Sequence, residues 1–166
     1  MSELFFKNIK HPFEPVYCSD SEILIVGSFP SVKSRAEHFY YGHPRNRFWQ
    51  VLALLFNEKE PQCIDEKKAL LYRKHIALWD VIEQCDIRAS DDSSITNVRP
   101  TDLQRIIRES RISRIYANGR KAATLYNRYQ KKHLGFDITP LPSTSPANAA
   151  WNLARLIACW QKIILP

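Results

Sequence analysis

The sequence predicts an α/β fold, a mostly parallel sheet with helices on both faces. Two observations lead there. Short apolar, β-branched runs alternate with helical patterns along the whole chain. The runs are continuously apolar, as expected of strands covered on both sides.

Residues 1–20 hold Phe5, Phe6, Pro12, Phe13 and Pro15 and read as an irregular arm packed on the core. Ile23–Val26 reads as a buried strand ending at Gly27. Over Asn46–Phe56, Phe48, Trp49, Leu52, Leu55 and Phe56 fall on one helix face, with Asn46 at the N-cap. Residues 65–74 read as a charged helix, and Ile76–Ile82 as a strand running into a turn. Pro100–Arg108 reads as a helix with proline near its start. Ile112–Ala117 is a further strand, Gly119 opens a helix reaching about Lys131, and Phe136–Leu141 is another strand. Ser145 followed by Pro146 resembles an N-cap and first helical residue. Leu153, Leu156, Ile157, Trp160, Ile163 and Ile164 then recur at helical spacing.

The 166 residues suit a single domain, 1–166. Hydrophobic residues make up 45% and charged residues 25%, a globular composition. No apolar run approaches the ~18 residues of a membrane span, and the N-terminus lacks a signal pattern; a cytoplasmic monomer is expected. Lys and Arg total 24 against 17 Asp and Glu, a net charge of +7 that favours an acidic partner, nucleic acid first. Cys18, Cys63, Cys85 and Cys159 form no CxxC or CxxxC pair, and the five histidines show no metal-ligand pairing, so no metal or cofactor is expected. GxGxxG and Walker loops are absent, which excludes nucleotide binding of those kinds.

In such a fold, ligands bind beyond the carboxyl ends of the strands. Three polar segments follow strands and should share that rim: Gly27–Ser31, Asn118–Arg120 and Pro142–Asn148. GSFPS at 27–31 can aim backbone N–H groups at a ligand, or be an ordinary turn. HFYYGHPRNRFW at 38–49 mixes stacking rings with arginines, the usual nucleic-acid blend; a core aromatic cluster is the alternative. LPSTSPAN at 141–148 places three hydroxyls at a helix start, fit for phosphate, although capping needs only Ser145.

Taken together, GSFPS, HPRNRFW, ALWDVIEQC, IYANGRKA and LPSTSPAN resemble the uracil-DNA glycosylase superfamily over residues 20–165, most closely its hypoxanthine-DNA (deoxyinosine) glycosylase group. The resemblance implies a three-layer α/β/α fold with a central, mostly parallel four-stranded sheet. It also implies a monofunctional enzyme that flips a deaminated base from double- or single-stranded DNA and hydrolyses its glycosidic bond. Many members carry an Asp or Asn in the first motif. Here that motif offers only Ser28, Phe29 and Ser31, and Leu141 stands at the second motif's His or Asn.

In the hypoxanthine group the important Asn matches Asn46. On this reading Asn46 is catalytic, and Gly27, Ser28, Phe29, Tyr41 and Asn118 contact the base. Ser31, Arg45, Arg47, Arg120, Lys121, Ser143, Thr144 and Ser145 contact DNA. The alternatives are a uracil or mismatch glycosylase of the same fold, an inactive DNA-binding relative, and a basic domain for a small acidic metabolite.

Overall fold

The computed structural model describes residues 4–165; residues 1–3 of the expected arm lie outside the described residues. Four strands form one parallel sheet: β2 (Ile23–Gly27), β3 (Ile76–Asp80), β6 (Arg114–Asn118) and β7 (Ile138–Leu141), in the order β3-β2-β6-β7. Every residue of β2 and β3 is buried, because helices flank the sheet and leave these strands no solvent side. The helices are α1 (Val32–Glu37), α2 (Phe48–Leu55), α3 (Ile64–Arg73), α4 (Leu103–Arg108), α5 (Arg120–Tyr129), α6 (Lys131–Leu134) and α7 (Leu153–Trp160). α2 packs on α7, where the Phe48 and Trp160 rings meet edge to face at 5.8 Å. α3 lies against β3, and α5 against β6 and β7.

Register decides where the chemistry goes. Gly27 pairs with Asp80, Val26 with Ala117, and Asn118 with Leu141. The four carboxyl ends therefore form one row: Asp80, Gly27, Asn118, Leu141. A parallel sheet presents all its carboxyl ends on one side, so the loops that follow share one rim.

Three expectations are corrected. Residues 5–10 of the arm are not irregular. They form β1 (Phe5–Lys10), which joins β4 (Ile82–Arg88) and β5 (Asp91–Pro100) in a second, antiparallel sheet of order β1-β4-β5. Pro100 ends β5 and does not start a helix; Asp102 caps α4 instead, accepting from the Arg105 N–H. Ser145 and Pro146 likewise do not open the last helix. Its cap is Asn152, whose side chain accepts from the Arg155 N–H at 2.9 Å. Residues 145–151 form turns, and an arginine from elsewhere binds their carbonyls, as described below.

Candidate active site

A cleft opens at the rim. It is lined by Gly27–Ser31, Tyr41, Asn46, Asp80, Ser90, Asp92, Asn118 and Ser143–Ser145. A wider groove continues from it past Arg120, Lys121, Ala147, Asn148 and Trp151. All three polar segments expected on one rim are there.

Asn46 sits just before α2, whose backbone cap is Arg47. The Asn46 carbonyl oxygen accepts twice, from the Phe48 N–H at 2.9 Å and from the Thr144 hydroxyl at 2.8 Å. Both the helix-start role and a cleft role thus fall on one side chain. With Oδ1 held by two donors, the amide is fixed in orientation, and its Nδ2 donates to no described residue. Asn118 sets the next link. Its Nδ2 donates to the Thr144 hydroxyl at 2.9 Å, and its Oδ1 accepts from the Thr144 N–H at 3.0 Å. The chain Asn118–Thr144–Asn46 runs across the cleft between β6, the serine loop and α2.

That chain changes the reading of Thr144. It is 0% exposed, and its hydroxyl both donates and accepts within the protein. A side chain so enclosed cannot grip a phosphate; it locks Asn46 to the loop. Ser143 and Ser145 remain half-buried on the cleft wall, the Ser143 hydroxyl accepting from the Ser145 N–H at 3.2 Å. Ser31 caps α1, accepting from the Ser34 N–H at 3.2 Å.

Arg47, expected on a phosphate, faces inward. Its guanidinium donates to the carbonyls of Ser145 at 3.0 Å, Asn148 at 3.2 Å, Thr144 at 3.4 Å and Trp151. Two of these carbonyls also close tight turns, Ser145 accepting from the Asn148 N–H at 3.0 Å and Asn148 from the Trp151 N–H at 3.2 Å, so the guanidinium clamps a loop of successive turns that precedes the last helix. Arg45 and Arg120 are exposed and make no ion pair among the described residues; Lys121 is half-buried beside the groove.

The Tyr41 ring lines the cleft and is backed by Phe48, ring centroids 4.1 Å apart. Its hydroxyl is buried without a hydrogen-bond partner among the described residues. Burial, with the Asp80 charge adding and the nearby Asn118 amide opposing, holds the phenol well above its ordinary value, so it stays protonated. Gly27 lies beneath it. A Cβ there would come 2.5 Å from an Asp80 oxygen and 3.3 Å from the Tyr41 hydroxyl, so only glycine fits. Gly119 is required twice over: φ is +97°, and a Cβ would meet that of Ser143 at 3.2 Å. Phe29 is 6% exposed at the cleft and meets His11 edge to face at 5.9 Å.

Sequence reasoning missed two carboxyls. Asp80, the last residue of β3, is 3% exposed and pairs with His11 Nε2 at 2.7 Å. The carboxyl-end rule would have found it. Asp92 comes from β5, and its Oδ2 accepts from the Ser28 hydroxyl at 2.6 Å. Burial pushes the Asp92 carboxyl up to about 6; the Ser28 bond lowers it, Asp80 raises it and Lys121 lowers it again. Nothing in ASDDSS marks this residue as a cleft group. Among the described residues, no group of three or more His, Cys, Asp or Glu side chains could hold a metal, and no helix is long and apolar enough to cross a membrane.

The chain is similar to known proteins in sequence and in fold. The model of the uracil DNA glycosylase superfamily matches residues 14–164. The chain is 34% identical over 153 residues to a protein of Methanosarcina acetivorans named hypoxanthine DNA glycosylase, covering 89% of this chain and 93% of that protein. It is 32% identical over 145 residues to a Methanosarcina barkeri protein of the same name, covering 84% and 88%. A solution NMR structure from Methanosarcina acetivorans, described provisionally as a uracil DNA glycosylase, superposes with a TM-score of 0.77 at 28% identity, covering 98% of this chain and 100% of that one. Fold, motif order and relatives converge, and the chain belongs to the uracil DNA glycosylase superfamily, whose members hydrolyse the N-glycosyl bonds of DNA.

Proposed function

We propose that the protein excises hypoxanthine from DNA, hydrolysing the N-glycosyl bond of deoxyinosine and leaving an abasic site. The observation that carries this reading is the fixed Asn46 amide on the cleft wall, its oxygen bound internally and its N–H2 donating to no described residue. Hypoxanthine, like guanine, presents O6 and N7 as adjacent acceptors, and a fixed donor amide is complementary to that edge. The first motif carries Phe29, a ring suited to packing, and neither the Asp nor the Asn that many members hold there. The relatives named hypoxanthine DNA glycosylase add support.

The target base must leave the duplex to enter the cleft. Tyr41 then offers a face for stacking, and the tight Gly27 turn lets the base approach the strand end. Negative charge gathering on the departing purine is met by the Asn46 amide, a donor held in place before the reaction. Arg45, Arg120 and Lys121, with Ser31, Ser143 and Ser145, are the groups we assign to the DNA backbone. Among the described residues no lysine lines the inner cleft, in keeping with hydrolysis by water.

The test is a duplex carrying one deoxyinosine, incubated with enzyme in excess and then cleaved with alkali. A strand break at the lesion, with no adduct trapped by borohydride, is the expected result; an intact strand overturns the assignment. Uracil, xanthine and T·G duplexes run beside it, and release of uracil alone would assign the enzyme to that base. The backbone contacts have their own check. Removing Arg120 and Lys121 together should weaken duplex binding and lower the slope of log affinity against log salt by about 0.9 per contact, read by fluorescence anisotropy.

A further inference from the structure

The first motif holds no group able to take a proton from water, and the neutral Asn46 amide is a poor acceptor. The structure brings a carboxylate to the same place from another part of the chain. We propose that Asp92, carried into the cleft by the β4–β5 hairpin, is the general base that activates the attacking water. This rests on the glycosylase reading above.

The geometry distinguishes Asp92 from Asp80. The inner carboxylate, Asp80, is 3% exposed and has one oxygen on His11, with the other packed under Gly27. Asp92 holds Ser28 through Oδ2 alone; its Oδ1 accepts from no described residue. It borders both the inner cleft and the wider groove, the junction a sugar would occupy with its base inside and its phosphates outside. Bonding by Ser28 fixes the carboxylate plane, as a second partner fixes a base in other hydrolytic sites.

The step balances as follows. Water oxygen bonds to C1′ as the C1′–N9 bond breaks, and its proton passes to Asp92 Oδ1. The purine leaves with the C–N electron pair and takes up that proton, which regenerates the carboxylate. The anionic carboxylate also faces the positive charge that builds on the sugar. A carboxyl near 6 is ionised at neutral pH yet basic enough to accept the proton.

Asp92→Asn keeps the size and the Ser28 bond and removes the base. Its single-turnover rate on the deoxyinosine duplex should fall by about 10²–10⁴-fold, with affinity for an abasic-analogue duplex held within threefold. The wild-type rate should fall below about pH 6 as Asp92 protonates, and D92N should lack that acid limb. The groups facing Asp92 are Asp80 with His11, Lys121 of α5, Asp91, Cys85 of β4 and Tyr41. Ser28→Ala removes the bond that lowers the Asp92 value, so its acid limb should move to higher pH. D92N should also melt higher at pH 7.5, by roughly 5 °C, because it removes a buried charge whose cost is complete above pH 6. That gain should vanish below about pH 4, where the carboxyl is neutral folded and unfolded. An active wild type with D92N within threefold of it, or an acid limb that persists in D92N, overturns the assignment of Asp92 alone. A wild type that releases no base from any duplex overturns both readings.

Discussion

Asn46→Ala is expected to lower the single-turnover rate of hypoxanthine release by about two to three orders of magnitude, the usual cost of losing one preorganised donor. The protein should remain folded, because Oδ1 contributes only a helix-start bond to Phe48 and one bond to Thr144. Losing such a cap costs about 1 kcal/mol. Asn46→Asp separates the two roles. A carboxylate retains both acceptor bonds and so supports α2, but offers no N–H2. If the amide acts as a donor to the purine edge, N46D should be as slow as N46A while melting near the wild type. If N46D keeps full activity, the residue serves only to start the helix. Measuring rate and melting temperature on both variants settles which role is real.

Arg47→Ala is expected to have the largest effect on stability, about 3 kcal/mol, with a fall in melting temperature of roughly 6–12 °C. The guanidinium gathers four carbonyls of the loop spanning Thr144 to Trp151, and alanine would remove all four of these charged bonds, leaving three of the carbonyls only a backbone donor. Activity should fall as well, although Arg47 touches no substrate in this reading. The loop carries Thr144, and Thr144 positions Asn46. Arg47→Lys cannot fork to several acceptors and should recover little. Salt provides the discriminating measurement. A backbone-phosphate contact would flatten the salt dependence of DNA binding, whereas a loop clamp should leave that slope unchanged and alter the melting temperature.

Much of the scaffold was legible in the residues. The strands at 23–27 and 76–80 are apolar for nearly their whole length, and that at 114–118 in its buried centre, Ile115–Ala117, because both of their faces are covered, and such runs are conspicuous. The strand ends then predicted a shared rim holding GSFPS, Asn118 and the serine loop, and the cleft lies there. The second sheet was not legible. β4 alternates buried and exposed positions and β5 is mostly polar; shifts of register between them break the two-residue period by which a one-sided strand is recognised. Asp92 was hidden for that reason, since ASDDSS has the composition of a solvent loop.

The last helix shows the boundary most clearly. Ser145-Pro146 and Asn152 are both acceptable starts by local chemistry, seven residues apart. The amino-acid sequence alone determined the family, the parallel sheet and the side of it on which ligands bind, since these follow from periodicity and short motifs. Tertiary structure decided the rest: the helix starts at Asn152, after a loop whose carbonyls are gathered by Arg47 from about a hundred residues away. The same long-range contacts enclose Thr144, fix the Asn46 amide and bring Asp92 to Ser28. A hydrogen bond between distant residues leaves no local pattern, because each partner's residue type is equally suited to solvent.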